Sequence, residues 1–159
     1  MNDVITKDET MRESICAIEA ALLKGIAEKQ LQEVDCPLHH QFAPGAYART
    51  IFIPAHTLVV GKIHKHAHLN MLVAGRVSLA TEEGPQQLEA LKIMTSKAGT
   101  KRVVYTHTDT VWTTIHLTNE TDLQKIEDEI IVPSYASFDA LCDTDVRQLL
   151  PVMQQEGTL

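Results

Sequence analysis

The segment 61–75 reads GKIHKHAHLNMLVAG and places three histidines, His64, His66 and His68, at alternate positions. Successive side chains of an extended strand point to opposite faces, so a strand here predicts the three imidazoles and Asn70 on one face. Neutral imidazole is the commonest protein ligand for a transition metal, and it also transfers protons near pH 7. The row of histidines therefore predicts a site if that face lines a cavity, and a weakly basic surface if it points outward.

The sequence on either side of this segment is typical of a mainly β protein. Short runs rich in β-branched residues alternate with turn signals such as Pro44-Gly45 and Glu82-Glu83-Gly84-Pro85. Strands are predicted at 47–53, 57–63, 64–79 with an interruption at Gly75, 88–94, 102–106 and 111–117. The last two are expected to pair as a hairpin around Thr108-Asp109. Many short strands at near-regular spacing predict an antiparallel sandwich or barrel.

Helical patterns flank this β region on both sides. Thr10 followed by Glu13 is a capping-box signature, and the apolar spacing after it predicts a helix that ends near Gln30. Thr121 followed by Gln124 predicts a second helix, which ends before Pro133 and whose apolar face is Leu123, Ile126 and Ile130. A further short helix is expected at 137–150. We predict a helical extension at 1–35, a β-barrel at 36–118 and a helical extension at 119–159, all within one structural domain.

Composition narrows the class of protein. The chain has 159 residues, of which 44% are hydrophobic and 22% are charged, as in an ordinary globular domain. Its net charge of -7 argues against general binding to nucleic acid or anionic membranes, because a protein that binds either of them needs a basic surface. Cys16, Cys36 and Cys142 are widely spaced, which is typical of a reduced chain without disulfides. A polar start and the lack of a long apolar run complete the expectation of a soluble, cytoplasmic protein.

The segment 61–75 resembles the first motif of the cupin superfamily, in which a glycine precedes a His-x-His pair, an acidic residue follows and a glycine closes an apolar stretch. The run 97–102 stands where cupins carry a second motif, a Pro-x-Gly turn followed by a strand with a histidine. The whole chain is also similar to small single-domain cupins encoded by bacteriophages. This resemblance implies an antiparallel jelly-roll barrel, here with an N-terminal helix and C-terminal helices added.

The likeness departs from the cupin motifs at the ligand positions. Depending on the end from which the first motif is counted, the glutamate position holds His68 or Asn70, so the carboxylate is missing either way. In the second motif, Arg102 stands where the third metal-binding histidine is expected, and Lys97 replaces the proline. The usual site of three histidines and one glutamate therefore does not carry over intact.

A modified metal site remains the leading prediction. Three imidazoles along one flat strand strain the coordination geometry, because alternate residues lie about 6.5–7 Å apart. Two of the three are favoured together with a histidine from a neighbouring strand. The predicted ligands are His64, His66, His68 and His116, with His107 as an alternative. Without a carboxylate, such a site suits Zn, Fe, Ni or Cu better than Mg or Ca.

Other residues are predicted to bind or act on a small molecule. An arginine in a cavity can hold a carboxylate or phosphate with two hydrogen bonds, and a tyrosine can donate a proton. We assign Tyr105 as catalytic, and Arg102, Trp112 and Asn70 as substrate-binding. The pair His39-His40 is expected in a loop before the first strand.

Three functions are consistent with these residues. The first is a small cupin that binds one transition metal and acts on a small polar or anionic molecule, with the reaction type open. The second is a metal-free isomerase or epimerase that uses a His/Tyr acid–base pair. The third is a non-catalytic binding module, for example a phage protein that sequesters a metabolite or a signalling nucleotide. Since cupins commonly dimerise through their sheets, the resemblance also implies a homodimer.

Overall fold

The computed structural model describes residues 6–144, which contain two large antiparallel sheets, a separate two-stranded pair and flanking helices. The helices are α1 (Lys7–Ala27), α2 (Leu123–Ile130) and α3, which begins at 135 and continues to the end of the described range. The strands are β1 (Leu38–Ala43), β2 (Ala46–Ile53), β3 (Leu58–Val60), β4 (Ile63–His64), β5 (His68–Ala74), β6 (Arg76–Thr81), β7 (Gly84–Glu89), β8 (Lys92–Ser96), β9 (Val103–Thr106), β10 (Thr110–His116) and β11 (Ile131–Val132). No helix within residues 6–144 is long and apolar enough to span a membrane.

The order of the strands is that of a jelly roll. The five-stranded sheet runs β1-β2-β10-β5-β8 and the four-stranded sheet runs β3-β9-β6-β7, while β4 and β11 form a separate pair. Apart from the hairpin of β6 and β7 and the hairpin of β1 and β2, successive strands pass from one large sheet to the other. Two sheets connected in this way are a double Greek key, the arrangement found in cupins and other jelly rolls. The predicted fold class is therefore confirmed.

The core lies between the inner faces of the two large sheets. Its buried cluster takes Leu72 from β5 and Trp112 from β10 on one side. The opposite side consists of Val77 and Leu79 from β6 and Val104 from β9, each no more than 6% exposed. Each of these residues alternates with an outward-facing neighbour, as expected for strands with one buried face. The period-two pattern of each strand thus places these residues on one face, and the packing of the two sheets buries that face.

The predicted hairpin at 102–106 and 111–117 is wrong. Strand β9 pairs with β3 and β6, whereas β10 pairs with β2 and β5, so the two strands belong to opposite sheets. The loop between β9 and β10 is anchored by hydrogen bonds to other segments of the chain. Thr108 Oγ1 accepts a hydrogen bond from the Arg76 amide, and Asp109 Oδ1 accepts one from the Ala55 amide. Turn residues between two strands mark a change of direction, and they do not distinguish a hairpin from a crossover between sheets.

Two further strand predictions need correction. The predicted strand 88–94 is divided, because β7 ends at Glu89 and β8 begins at Lys92 in the other sheet. The pair His39-His40 lies in β1 and not in a loop, since β1 pairs along its whole length with β2. Alternation in β1 is weak because most of its side chains are exposed, and this edge strand therefore carries little sequence signal.

The helix starts are displaced from their predicted positions. Helix α1 is capped by Thr6 and Glu9, whose side chains each accept from the other's backbone amide, at 3.2 and 2.8 Å. The same spacing of threonine and glutamate recurs at Thr10, which lies inside the helix instead. Helix α2 is capped by Asp122, one residue after the predicted Thr121. The C-terminal helix begins at 135, and the predicted positions 145–150 lie outside the described residues.

Candidate metal and ligand site

A bend divides the histidine segment into two strands. His64 ends β4, residues 65 and 66 form a bend, and His68 begins β5. His64 pairs with Ile131 of β11, while His68 pairs with Ser96 of β8. The predicted single strand with three aligned imidazoles is therefore wrong. His66 is exposed on the bend and lies apart from its two neighbours.

Three histidines nevertheless converge inside the barrel. His64, His68 and His116 each offer a ring nitrogen, and these atoms all lie within 4.8 Å of one another. The ring centroids are 4.1 Å apart for His64 and His68, 5.0 Å for His64 and His116, and 4.9 Å for His68 and His116. His68 and His116 come from adjacent strands, β5 and β10, and His64 approaches from β4. The bend is what allows two residues of one short segment to reach the same point.

One nitrogen of this cluster is buried without a partner. His68 Nδ1 lies 3.1 Å from the carbonyl oxygen of His66 and 3.2 Å from Nδ1 of His64. A carbonyl oxygen only accepts, so the first contact assigns the proton to Nδ1 and leaves the lone pair on Nε2. His68 Nε2 is buried and has no hydrogen-bond partner within residues 6–144. Metal-ligating histidines commonly donate their second nitrogen to a backbone carbonyl in this way.

The three imidazoles are held in their neutral form. Burial, followed by His68, His116, Arg102 and Arg49, lowers the pKa of His64 to about 2. Burial, followed by the charges of His68, Arg49 and His66, lowers the pKa of His116 to about 4. The pKa of His68 is also lowered, mainly by burial. Neutral imidazole is the form that binds a metal ion. Near pH 7 the three rings therefore do not have to be deprotonated before they can coordinate one.

The donor set fits a transition metal. Three histidine nitrogens with a further position open to a cavity form the arrangement of a catalytic zinc site, and imidazole also suits Cu, Fe and Ni. No carboxylate belongs to the cluster within the described part of the chain, which disfavours Mg and Ca. His107 is elsewhere, because its Nε2 bonds to Ser78 Oγ at 2.8 Å and its ring packs edge-on against Tyr105.

The cluster opens onto a cavity of about 430 Å³ between the sheets. The strand register arranges the inner face of the five-stranded sheet in three rows across β1, β2, β10, β5 and β8. The histidine row consists of Phe42, Tyr47, His116, His68 and Ser96. The arginine row consists of His40, Arg49, Thr114, Asn70 and Met94. The apolar row consists of Leu38, Ile51, Trp112, Leu72 and Lys92. Among the row members that line the cavity, Leu38, Ile51 and Trp112 are apolar, and the residues of the other two rows are polar or aromatic.

Asn70 is the centre of a buried hydrogen-bond network. Its Oδ1 accepts from Arg102 Nη1 at 3.0 Å, from Trp112 Nε1 at 2.9 Å and from Thr114 Oγ1 at 3.3 Å. Its Nδ2 donates to Ser96 Oγ at 2.8 Å, and Arg102 Nη2 donates to the same hydroxyl. The Asn70 side chain is fully buried. The network fixes the guanidinium of Arg102 against the five-stranded sheet, although Arg102 itself precedes a strand of the other sheet.

Arg102 and Trp112, which were predicted to bind substrate, both line the cavity. The Arg102 guanidinium carbon lies 5.3 Å from the centre of the Trp112 ring, within the range of a cation–π contact. Burial lowers the pKa of Arg102 to about 10. The group remains charged at pH 7, so the cavity contains a buried cation close to the three histidines.

Tyr105 does not face the cavity. It alternates on β9 with Val104, which lines the cavity, and Tyr105 therefore lies on the outer face, where it is 36% exposed. Its hydroxyl bonds to His56 Nδ1 at 3.2 Å on the protein surface. The prediction that Tyr105 acts in the cavity is wrong, because period-two alternation shows which residues share a face but not which face is buried.

The tyrosine that does line the cavity is Tyr47, which the sequence analysis did not select. Its hydroxyl lies 2.7 Å from His40 Nδ1, and its ring stacks on His116 with centroids 6.3 Å apart. Burial raises the pKa of Tyr47. Alternation with Arg49 and Ile51 along β2 was the available signal, since the three residues share one face of a strand.

Helix α2 forms one wall of the cavity. Its predicted apolar face, which comprises Leu123, Ile126 and Ile130, lines the cavity as expected from the periodicity. Lys62 forms an ion pair with Glu127, and Lys65 Nζ donates to the carbonyl oxygen of Asp128 at 2.6 Å. These contacts connect α2 directly to the segment that contains His64.

Comparison with known proteins gives structural likeness alone. No protein-family model matches the chain, and no curated protein matches it. Salicylate 1,2-dioxygenase from Pseudoaminobacter salicylatoxidans is 9% identical with a TM-score of 0.49, over 70% of this chain and 32% of that one. A cupin superfamily protein from Desulfitobacterium hafniense DCB-2 is 9% identical with a TM-score of 0.46, over 56% of this chain and 83% of that one. The chain spans about a third of the dioxygenase. The strand order of the chain itself shows that the protein has a jelly-roll fold.

Proposed function

We propose that this protein binds one transition metal ion through His64, His68 and His116 and binds a small polar or anionic molecule beside it. The observation that carries the proposal is the buried lone pair of His68 Nε2, which has no partner within residues 6–144 and lies next to two other neutral imidazoles. Leaving a buried polar atom unpaired costs about 1–3 kcal/mol, and coordination of a metal would remove that cost. The cavity beside the cluster provides room for the second ligand.

The residues around the cluster have separate roles in this proposal. Arg102 binds an anionic group of the molecule, and Asn70 positions Arg102. Trp112 provides a flat apolar surface against which the molecule packs. A metal ion bound at the histidines would supply Lewis acidity toward an oxygen of that molecule. Helix α2 provides an apolar wall at this end of the cavity. A protein that only binds the molecule and a protein that converts it would both use this arrangement.

Metal titration tests the proposal. Purified full-length protein is stripped with a chelator, and Zn(II), Cu(II), Ni(II) and Fe(II) are added separately under anaerobic conditions where needed. We expect one ion per chain by elemental analysis, with a rise in the unfolding temperature, because a ligand of the native state stabilises it. Binding of less than about one ion per five chains for all four metals would contradict the proposal.

A second candidate, a metal-free acid–base site, is favoured by Tyr47 and His40. Their hydrogen bond of 2.7 Å lies on the cavity wall next to His116 and forms a His/Tyr pair of the kind used in proton transfer. In this alternative, Tyr47 takes the role that was predicted for Tyr105. Ligand conversion that persists in chelated protein and is lost in Tyr47→Phe would favour it over the metal site.

We also propose that a second copy of the chain covers the outer face of the five-stranded sheet. By the strand register, none of the outward positions of this sheet is Asp, Glu, Lys or Arg. Exposed apolar residues on this face are Phe52, Leu69, Val73 and Ile93, at 36 to 60% exposure. An uncharged face can meet its own copy without repulsion even though each chain has a net charge of -7. From the strand spacing, the flat area of this face is about 400 Å². Side chains and strand ends increase the area available for contact, and a standard interface buries ~800 Å² per partner.

Light scattering after size-exclusion chromatography tests this interface. The wild type is expected to have twice the mass of one chain, and Leu69→Lys is expected to have the mass of a single chain at the same micromolar concentration. The matched control is Leu23→Lys, which adds the same charge at an exposed leucine of α1. A wild type that is monomeric at high micromolar concentration, or a dimer that persists in Leu69→Lys, would contradict the interface.

A further inference from the structure

Two arginines line the cavity without a carboxylate partner in the described range of the chain. Arg49 and Arg102 both face the cavity, and neither forms an ion pair within residues 6–144. The acidic group whose charge reaches Arg102 is Glu82, but Glu82 Oε1 already accepts from the Lys101 amide and from the Tyr135 hydroxyl. The acidic residue of the cavity wall, Glu127, is paired with Lys62. Two positive charges in the cavity are therefore not neutralised by these groups.

Burying an uncompensated guanidinium is costly, and proteins usually pair such a group with an anion. Lys101 illustrates the usual solution, because its buried amine bonds to Glu19 at 2.5 Å. Arg102 uses two neutral acceptors instead, Asn70 Oδ1 and Ser96 Oγ, which orient the guanidinium but do not cancel its charge. This arrangement is suited to a ligand that brings the negative charge with it.

The strand register places both cations on one row of the cavity wall. Arg49 is paired with Thr114, and Thr114 is paired with Asn70, which holds Arg102. Adjacent strands are about 4.8 Å apart, so Arg49 and Asn70 are about 10 Å apart across the sheet, with Thr114 between them. Arg49, Arg102 and Thr114 line the same cavity as the three histidines. The register places Arg49 and Asn70 on either side of Thr114, one row away from the histidines.

We propose that Arg49 and Arg102 form an oxyanion subsite over Thr114, which takes the carboxylate or phosphate group of a ligand with an apolar body. The apolar body would lie against the apolar row, at Ile51 and Trp112, and against the apolar face of α2. This inference rests on the proposed function in that it names the class of molecule that binds beside the three histidines. It adds Arg49, which no sequence motif singled out, as a determinant of ligand charge.

Division of the cavity wall supports both halves of the ligand. His68, His116 and Arg49 lie in the histidine and arginine rows, while Ile51, Trp112 and the α2 residues Ile126 and Ile130 provide an apolar part of the wall. Lys62 and Glu127 also line the cavity, but they form an ion pair with each other. A carboxylate accepts two parallel hydrogen bonds from a guanidinium, so either arginine can hold such a group. A small inorganic anion would use only the polar end of the cavity.

Calorimetric titration of chelated full-length protein in low-salt, phosphate-free buffer tests the subsite without any metal. The probes are benzoate, its uncharged analogue benzamide, and inorganic phosphate. The variants are Arg49→Gln and, as matched control, Arg76→Gln, which removes the same charge from an exposed position on β6. We expect benzoate to bind at least about tenfold more tightly than benzamide and phosphate, and Arg49→Gln to weaken benzoate binding by about tenfold or more while Arg76→Gln leaves it within about twofold.

Each result has a defined consequence. Equal binding of benzoate and benzamide, or wild-type affinity in Arg49→Gln, would overturn the oxyanion subsite. Phosphate binding as tightly as benzoate would overturn the apolar half of the proposal and identify a subsite for free phosphate. These titrations contain no metal, so their outcome does not depend on whether the wild type binds a metal ion. Failure of the oxyanion subsite and failure of the metal site are therefore detected by separate experiments.

Discussion

Replacing His68 by alanine is expected to reduce metal affinity by roughly 100-fold or more, which would leave the purified protein with far less than one ion per chain. His68 supplies the buried Nε2 that has no partner within residues 6–144, and it lies within 5 Å of both other rings, at 4.1 Å and 4.9 Å between centroids. Removing it leaves two imidazoles, too few for a closed or catalytic site. The measurement is competition of zinc between the variant and a chromophoric chelator, followed by elemental analysis.

His66→Ala is the matched control for this experiment. His66 is a histidine two residues away in the same segment, but its side chain is exposed on the bend, and its carbonyl oxygen, which contacts His68, is retained in the variant. Metal affinity is expected to stay within about twofold of the wild type. His64→Ala and His116→Ala should behave like His68→Ala, which guards against a local folding defect in any one variant. Equal loss of metal in His66→Ala would contradict the three-histidine site.

Asn70→Leu is expected to destabilise the protein by about 3–5 kcal/mol, since it removes one partner from a buried charged group. Leucine is similar in size, so the change leaves the Arg102 guanidinium and the Trp112 indole without their shared acceptor. For a domain of this size, that loss corresponds to a fall of roughly 10 °C in unfolding temperature. Urea unfolding followed by tryptophan fluorescence is the appropriate measurement, because Trp112 is the single tryptophan of the chain.

Thr114→Val is the control for the network. It removes the longest of the three bonds to Asn70 Oδ1, at 3.3 Å, and keeps the shape of the side chain. We expect a loss of about 1 kcal/mol or less. If Asn70→Leu were no more destabilising than Thr114→Val, Asn70 would be a packing residue, and the orientation of Arg102 would need another explanation.

The metal cluster and the arginine row are neighbours on the five-stranded sheet, because His68 and Asn70 lie on the same strand. His68, Asn70 and Leu72 alternate along β5 and contribute one residue to each of the three rows of the cavity wall. Metal binding, ligand orientation and core packing are therefore arranged along 7 residues of one strand. A substitution at Asn70 is expected to alter ligand affinity as well as stability, whereas one at His68 is expected to alter mainly metal affinity.

Much of the fold followed from local pattern. The β-branched runs predicted β2, β5, β6 and β10, the turn residues predicted their ends, and the 61–75 motif indicated a jelly roll. The apolar face of α2 was also predicted, because a period of 3.6 residues is visible in eight residues of sequence. These features depend on interactions between residues that are close in the chain, so composition and spacing are sufficient to reveal them.

Local patterns in the sequence are sufficient to predict the type of structure, the histidines available for a site and the residues that share a face of each strand. The packing of the two sheets determines which faces are buried, so that Tyr47 lines the cavity and Tyr105 lies on the outer face. Long-range contacts also bring His64 to His68 across a bend that excludes His66, and they place Arg49 and Arg102 in one cavity. Alternation is a property of a single strand, whereas a binding site is formed by several strands whose pairing depends on contacts between distant parts of the chain.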